Sequence, residues 1–146
     1  MAKTLEEVFK IVAAHLLKQN KAARDEENEY NGGCFYRLKV GEAVLSCAVG
    51  CLIPDARYKP EMEYNTVDGY SEGGQSLRLA LLEEGILEDK SFIDEPKPAA
   101  HTKDTLMLGM LRELQILHDD SNPDVWPGAL AKAAKAYDFK WPLEAP

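Results

Sequence analysis

Thr4-Leu5-Glu6-Glu7-Val8-Phe9-Lys10-Ile11-Val12-Ala13-Ala14-His15-Leu16-Leu17-Lys18-Gln19 is the stretch on which the fold turns. Leu5, Val8, Phe9, Val12 and Leu16 recur at helical spacing, while Lys3, Glu6, Lys10 and Lys18 occupy other parts of the wheel. Thr4 followed three residues later by Glu7 forms a capping box, which satisfies backbone donors that a first helical turn leaves free. An amphipathic helix over 4–19 follows, and its apolar stripe requires other elements to cover it.

Working outward, residues 20–33 lose the period, gather Arg24, Asp25, Glu26, Glu27 and Glu29, and end in Asn31-Gly32-Gly33, a turn signal. Two short apolar runs, Cys34–Leu38 and Ala43–Ser46, flank Lys39-Val40-Gly41-Glu42 and predict a β-hairpin over about 34–46. Cys47-Ala48-Val49-Gly50-Cys51-Leu52-Ile53 is continuously apolar and stops at Pro54, so it is read as a buried short helix. A long structured loop spans about 55–74. Leu77, Leu79, Ala80, Leu81 and Leu82 then make a helix that Gly85 closes in a left-handed cap, with Ile86 as the apolar residue behind it.

After Pro96-Lys97-Pro98, the apolar set Leu106, Met107, Met110, Leu111, Leu114 and Leu117 predicts another helix. Asp119-Asp120-Ser121-Asn122-Pro123 stops it. Trp126, Leu130, Ala133 and Tyr137, broadened by Val125 and Ala129, define the last helix, with Phe139 and Trp141 folding back on the core. The fold class read from this pattern is an α-dominated α+β single domain over 1–146, with about four to five helices and one small hairpin.

The chain has 146 residues and a formal charge of -8 from 17 basic and 25 acidic side chains. That balance argues against a protein that grips nucleic acid through its phosphates. Three cysteines exclude a fully paired disulfide framework. No apolar run approaches the roughly 18 residues a membrane span needs, and no secretory leader is recognisable. A cytoplasmic setting is the expectation.

Cys34, Cys47 and Cys51 are candidate metal ligands. Cys47 and Cys51 are four apart, and the hairpin can return Cys34 to their side with His101 or His118 as a fourth ligand for zinc. A lone Cys-x3-Cys pair is a weak signature, and the apolar neighbours favour core thiols and no cofactor. His15 reads as a partly buried structural ring, and His118 as a cation closing a helix. No nucleophile elbow or phosphate-loop motif occurs, so no catalytic residue is assigned. Gly73-Gly74-Gln75-Ser76 precedes a helix whose free amides and Arg78 can meet an anion, and Arg37, Arg57 and Arg78 are kept as ligand-site candidates. Surface or tyrosine-packed arginines are the alternative reading.

The charge is uneven. Residues 25–124 hold nine bases and twenty-one acids, whereas both flanks are slightly positive. Acids cluster at Asp25-Glu26-Glu27, at Glu83-Glu84 with Glu88-Asp89, at Asp94-Glu95 and at Asp119-Asp120. Glu83, Glu84, Glu88 and Asp89 are the candidate partner face, and exposed Tyr58, Tyr64 and Tyr70 from the long loop supply favoured interface side chains. A solvated acidic surface explains the same residues without a partner.

Cys34-Phe35-Tyr36-Arg37, then Cys47-Ala48-Val49-Gly50-Cys51-Leu52-Ile53-Pro54-Asp55 and Tyr58, resembles a signature of small proteins from bacteriophages and bacterial mobile elements. Leu114-Gln115-Ile116-Leu117-His118-Asp119 with Trp126 is similar to the C-terminal part of the same group. The resemblance covers about half the chain and carries no catalytic residue. It implies a phage-encoded, acidic, non-enzymatic protein that binds and inhibits or modulates a host protein with a basic surface, such as an antiviral defence or nucleic-acid-handling complex. The alternative is a small-molecule or nucleotide-binding protein, or an enzyme, that uses the hairpin and central loop. Oligomeric state is left open.

Overall fold

The computed structural model describes residues 2–24, 35–94 and 102–141. Cys34, the acidic run at 25–29, the turn at 31–33, the proline segment at 96–98 and His101 lie outside them. Helix α1, Leu5–Gln19, has Thr4 as its cap, with both arms of the capping box formed. Its buried residues are Val8, Phe9, Val12, Ala13 and Leu16, so the stripe read from the sequence is buried except for Leu5, which is partly buried, and Ala13 joins it. Strands β1 (Leu38–Val40) and β2 (Ala43–Leu45) pair antiparallel, with Leu38 opposite Leu45 and Val40 opposite Ala43.

The apolar run that follows is not the expected helix. It is a 3-10 turn at Gly50–Leu52. Gly50 lies against the Tyr36 backbone so closely that a Cβ would stand 2.2 Å from the Tyr36 carbonyl oxygen. The chain crossing there and Pro54 beyond leave room for a turn only. Ala48, Val49, Leu52 and Ile53 are nonetheless buried.

A second 3-10 turn, Pro60–Met62, divides the long loop and seats Met62 in the core. Helix α2 runs Glu72–Glu83 from a Ser71 cap, so the glycine pair Gly73-Gly74 lies inside its first turn and does not precede it. A Cβ at Gly73 would meet the Glu61 carbonyl at 2.1 Å, and one at Gly74 the Gly69 carbonyl at 2.5 Å. The loop therefore covers this helix start, where an anion had been expected. Gly85, at φ +76, ends α2, and the Ile86 N–H returns to the Leu81 carbonyl at 2.9 Å.

A short helix α3, Ser91–Asp94, precedes α4, Lys103–Asp120, capped by Thr102. A 3-10 turn at Pro123–Val125 leads into α5, Trp126–Ala136. Trp126, Leu130 and Ala134 face inward, whereas Val125 is exposed because it belongs to the turn and not to the helix stripe. Helices α4 and α5 and the Gly50–Leu52 turn all pack on α1. Phe139 and Trp141 return to Phe9, with ring centroids 5.3 and 6.4 Å away. One apolar cluster unites these elements, the expected α-dominated α+β architecture. No helix of the described residues is long and apolar enough to cross a membrane.

Candidate functional site

The acidic residues proposed as a partner face are each engaged within the chain. Arg57 pairs with Glu83 and, at 3.5 Å, with Glu84. Lys103 Nζ meets Glu88 at 2.7 Å. Asp89 accepts the Ser91 N–H and hydroxyl at 2.9 and 2.8 Å, and these bonds hold its carboxyl below the usual range. Pairing of this kind removes much of the long-range field that unpaired carboxylates would project.

The three candidate arginines do not converge. Arg37 pairs with Asp55, donates to the Ile53 carbonyl and lies 5.2 Å from the Tyr58 ring centre. Arg57 is the partner of Glu83 and Glu84. Arg78 is fully buried and donates to the carbonyls of Val67, Gly69 and Ile93 at 2.6 to 3.1 Å, so its guanidinium fastens the loop and α3 to α2 and faces no solvent cavity.

The thiols are equally inward. Cys47 Sγ accepts the Gly50 N–H at 3.3 Å, and Cys51 Sγ donates to the Ala48 carbonyl at 3.1 Å. Burial pushes the Cys47 thiol far up and that of Cys51 to about 12, which suppresses the thiolate that a nucleophile or metal ligand requires. Among the described residues no group of three His, Cys, Asp or Glu is placed to hold a metal ion. His15 Nε2 lies 2.9 Å from the Ser46 carbonyl and ties α1 to the end of β2.

His118 departs from its expected role. It is fully buried and stacks on Trp126 with centroids 5.5 Å apart. Its Nε2 accepts the Ala23 N–H at 3.0 Å, which leaves the ring proton on Nδ1, 2.7 Å from Asp119 Oδ1. The imidazole is therefore a neutral tether between the chain after α1 and the end of α4, in place of the surface cation expected there.

A carboxylate at the other side of the long loop organises the entry to the hairpin. Glu63 accepts the N–H groups of Tyr36 and Arg37 at 2.8 and 3.2 Å and the Tyr58 hydroxyl at 2.6 Å. Tyr36 in turn donates to the Asn65 carbonyl. Tyr58 is thereby turned inward, away from the exposed role expected of it. Burial and the Glu63 carboxylate raise its hydroxyl well above the ordinary range.

These ties hold open a groove of about 410 Å³ between residues 64–68 and the C-terminal half of α4. Tyr36, Val49 and Val67 contribute its buried apolar side. Tyr64 and Ile116, 67% and 47% exposed, stand at its mouth. Arg112, Gln115, Asp119 and Asp120 line it from α4 and Asp68 from the loop. Arg112 Nη1 binds Asp68 at 3.0 Å, and Gln115 links the Val49 N–H at 3.1 Å to Asp119 at 2.8 Å. Tyr64 is held at φ +64, a conformation that costs a non-glycine residue on the order of 1 kcal/mol.

Of the expected partner residues only Tyr64 reaches this groove; Tyr70 is exposed, 54%, but does not line it. Asp119 and Asp120 are among the acidic clusters of the sequence, whereas Asp68, Arg112 and Ile116 carry no assigned role there. The signal for the four α4 residues is the spacing 112, 116, 119, 120, which shares one face of that helix outside its buried stripe. A second hollow, about 610 Å³, lies between Asn20–Arg24 and the hairpin and carries Lys21, Arg24 and Lys39. Comparison with protein-family models, curated proteins and solved structures gives no match to this chain.

Proposed function

We propose that this chain is a non-enzymatic binding protein whose partner is another protein, engaged through the groove between residues 64–68 and α4. The observation that carries the reading is Tyr64: a large aromatic, two-thirds exposed, fixed in a costly backbone conformation beside an apolar-floored groove. Tyrosine in such a position supplies contact area at low entropic cost, and strain held at one exposed residue is a mark of functional sites. Among the described residues, the protonated thiols of Cys47 and Cys51 and the neutral, fully engaged His118 support a role without a nucleophile. The resemblance to phage and mobile-element proteins adds a context, modulation of a host protein in the bacterial cytoplasm, including antiviral defence or nucleic-acid-handling complexes. A nucleotide or small-molecule site on Arg37, Arg57 and Arg78 has less support, because each guanidinium is already engaged in a different part of the fold.

The test is affinity capture from bacterial lysate, quantified by mass spectrometry, with wild type beside a Tyr64→Ala/Ile116→Asp variant. Both altered side chains are exposed, so the variant keeps its melting temperature. A protein enriched at least about tenfold by wild type and lost from the variant is expected, the scale on which interface anchors act. Identical captured sets for the two proteins would remove the groove from the function.

A further inference from the structure

Resting on that reading, we infer that the groove accepts an extended segment of the partner bearing a lysine or arginine, whose cation lodges between the Tyr64 ring and the carboxylates of Asp119 and Asp120. Four charged side chains line the groove, three acids and Arg112. Arg112 is matched by Asp68, so among the described residues the unmatched charge is the pair Asp119 and Asp120. Asp119 accepts hydrogen bonds from neutral donors, the Gln115 amide and the His118 ring, which leave its charge in place. Arg24 approaches from outside the groove and is bound to the Asp119 main-chain carbonyl. The Asp120 carboxylate makes no hydrogen bond or ion pair among the described residues.

Position sharpens the argument. Asp119 and Asp120 are the last residues of α4, where the carbonyl end of the helix dipole already favours a cation. The one basic residue of that turn, His118, is neutral by its hydrogen bonding. Arg24, on the Asp119 main-chain carbonyl, offsets part of the charge at this helix end but makes no ion pair with either carboxylate, and a partner cation supplies that pairing. The aromatic face of Tyr64 at the same mouth suits the stem and head of such a side chain. A volume of about 410 Å³ accommodates individual side chains of an extended segment. The excess negative charge disfavours a nucleic acid in the same place.

Two measurements separate this inference from the reading beneath it. In the first, N-acetyl-arginine methylamide is titrated into the protein while amide and side-chain NMR shifts are followed, with N-acetyl-citrulline methylamide as the neutral isostere. Saturable shifts centred on Tyr64, Ile116 and Asp120 are expected with the arginine probe only, and Asp120→Asn, which disturbs no other bond, weakens them roughly three- to fivefold. Equal shifts from citrulline, or none in the groove at tens of millimolar arginine probe, would overturn the cation site. In the second, the captured partner is retained by wild type and by Asp120→Asn across a salt series. Faster loss from the variant at low salt supports the inference. Retention that depends on Tyr64 but ignores both Asp120 and salt overturns the cation while leaving the protein-binding function standing. Recovery of nucleic acid in place of protein overturns both.

Discussion

Arg78 and Glu63 do comparable work from opposite signs of charge. Arg78 gathers three main-chain carbonyls around a buried fork, and Glu63 gathers two main-chain N–H groups and a phenol around a carboxylate. Removing either leaves buried backbone groups without partners, which costs about 1 to 3 kcal/mol per site and more where the lost group was charged. Arg78→Met is expected to lower unfolding free energy in urea by about 3 kcal/mol or more. Arg78→Lys should recover little of that, because a point charge cannot span carbonyls on three segments. Glu63→Ala should cost about 2 kcal/mol by the same measurement and loosen the Tyr36 and Arg37 amides in hydrogen exchange. The sequence held a clue to Arg78: it falls with Gly74, Leu77 and Leu81 on the buried side of α2. Residue type alone suggests a solvent-facing ligand arginine, and only the position on the wheel points inward. Nothing comparable marked Glu63, whose partners are 5, 26 and 27 residues away.

At the scale of elements, periodic segments were legible and contact-determined ones were not. Helix α1 and the Gly85 cap of α2 follow from local chemistry and form as read, and the turn-glycine hairpin forms with its first strand shifted to Leu38–Val40, into residues read as its turn. The Cys47–Ile53 run has no period to read, so its shape is set by the Tyr36 backbone lying across Gly50. Gly50→Ala is therefore expected to destabilise the fold by about 3 kcal/mol or more in chemical denaturation, since a backbone atom cannot yield as a flexible side chain can. Gly109 makes the opposite case. It sits exposed in the middle of α4, and an added Cβ would meet nothing within 4 Å. Gly109→Ala should raise stability by about 0.5 to 1 kcal/mol in the same assay, through helix propensity alone. The groove was illegible for the same reason as the Cys run: it arises where the long loop meets α4, more than forty positions further along the chain.

For the molecule as a whole, ionisation of its buried groups predicts how stability varies with pH. Cys47, Cys51, Tyr36 and Tyr137 all have folded-state values raised by burial, so the fold prefers their protonated forms. Unfolded thiols ionise near pH ~8.5, so their contribution is whole below that value and declines as pH climbs toward about 12 for Cys51. The melting temperature is expected to fall progressively above about pH 8.5, and Cys51→Ala to flatten the onset of that fall. Iodoacetamide at neutral pH should label Cys47 and Cys51 far more slowly in the native protein than in denaturant.

The return of Phe139 and Trp141 to Phe9 has a consequence for synthesis. Helix α1 leaves the ribosome long before the aromatic residues that cover it on this side, Phe139 and Trp141, and Glu6 receives the Lys140 N–H there as well. During translation α1 must therefore wait, with Phe9 open to solvent or to a chaperone, until residues 139–141 clear the exit tunnel. Ribosome-bound chains stalled short of Tyr137 should be cut within α1 by added protease. Chains long enough to free Trp141 should resist.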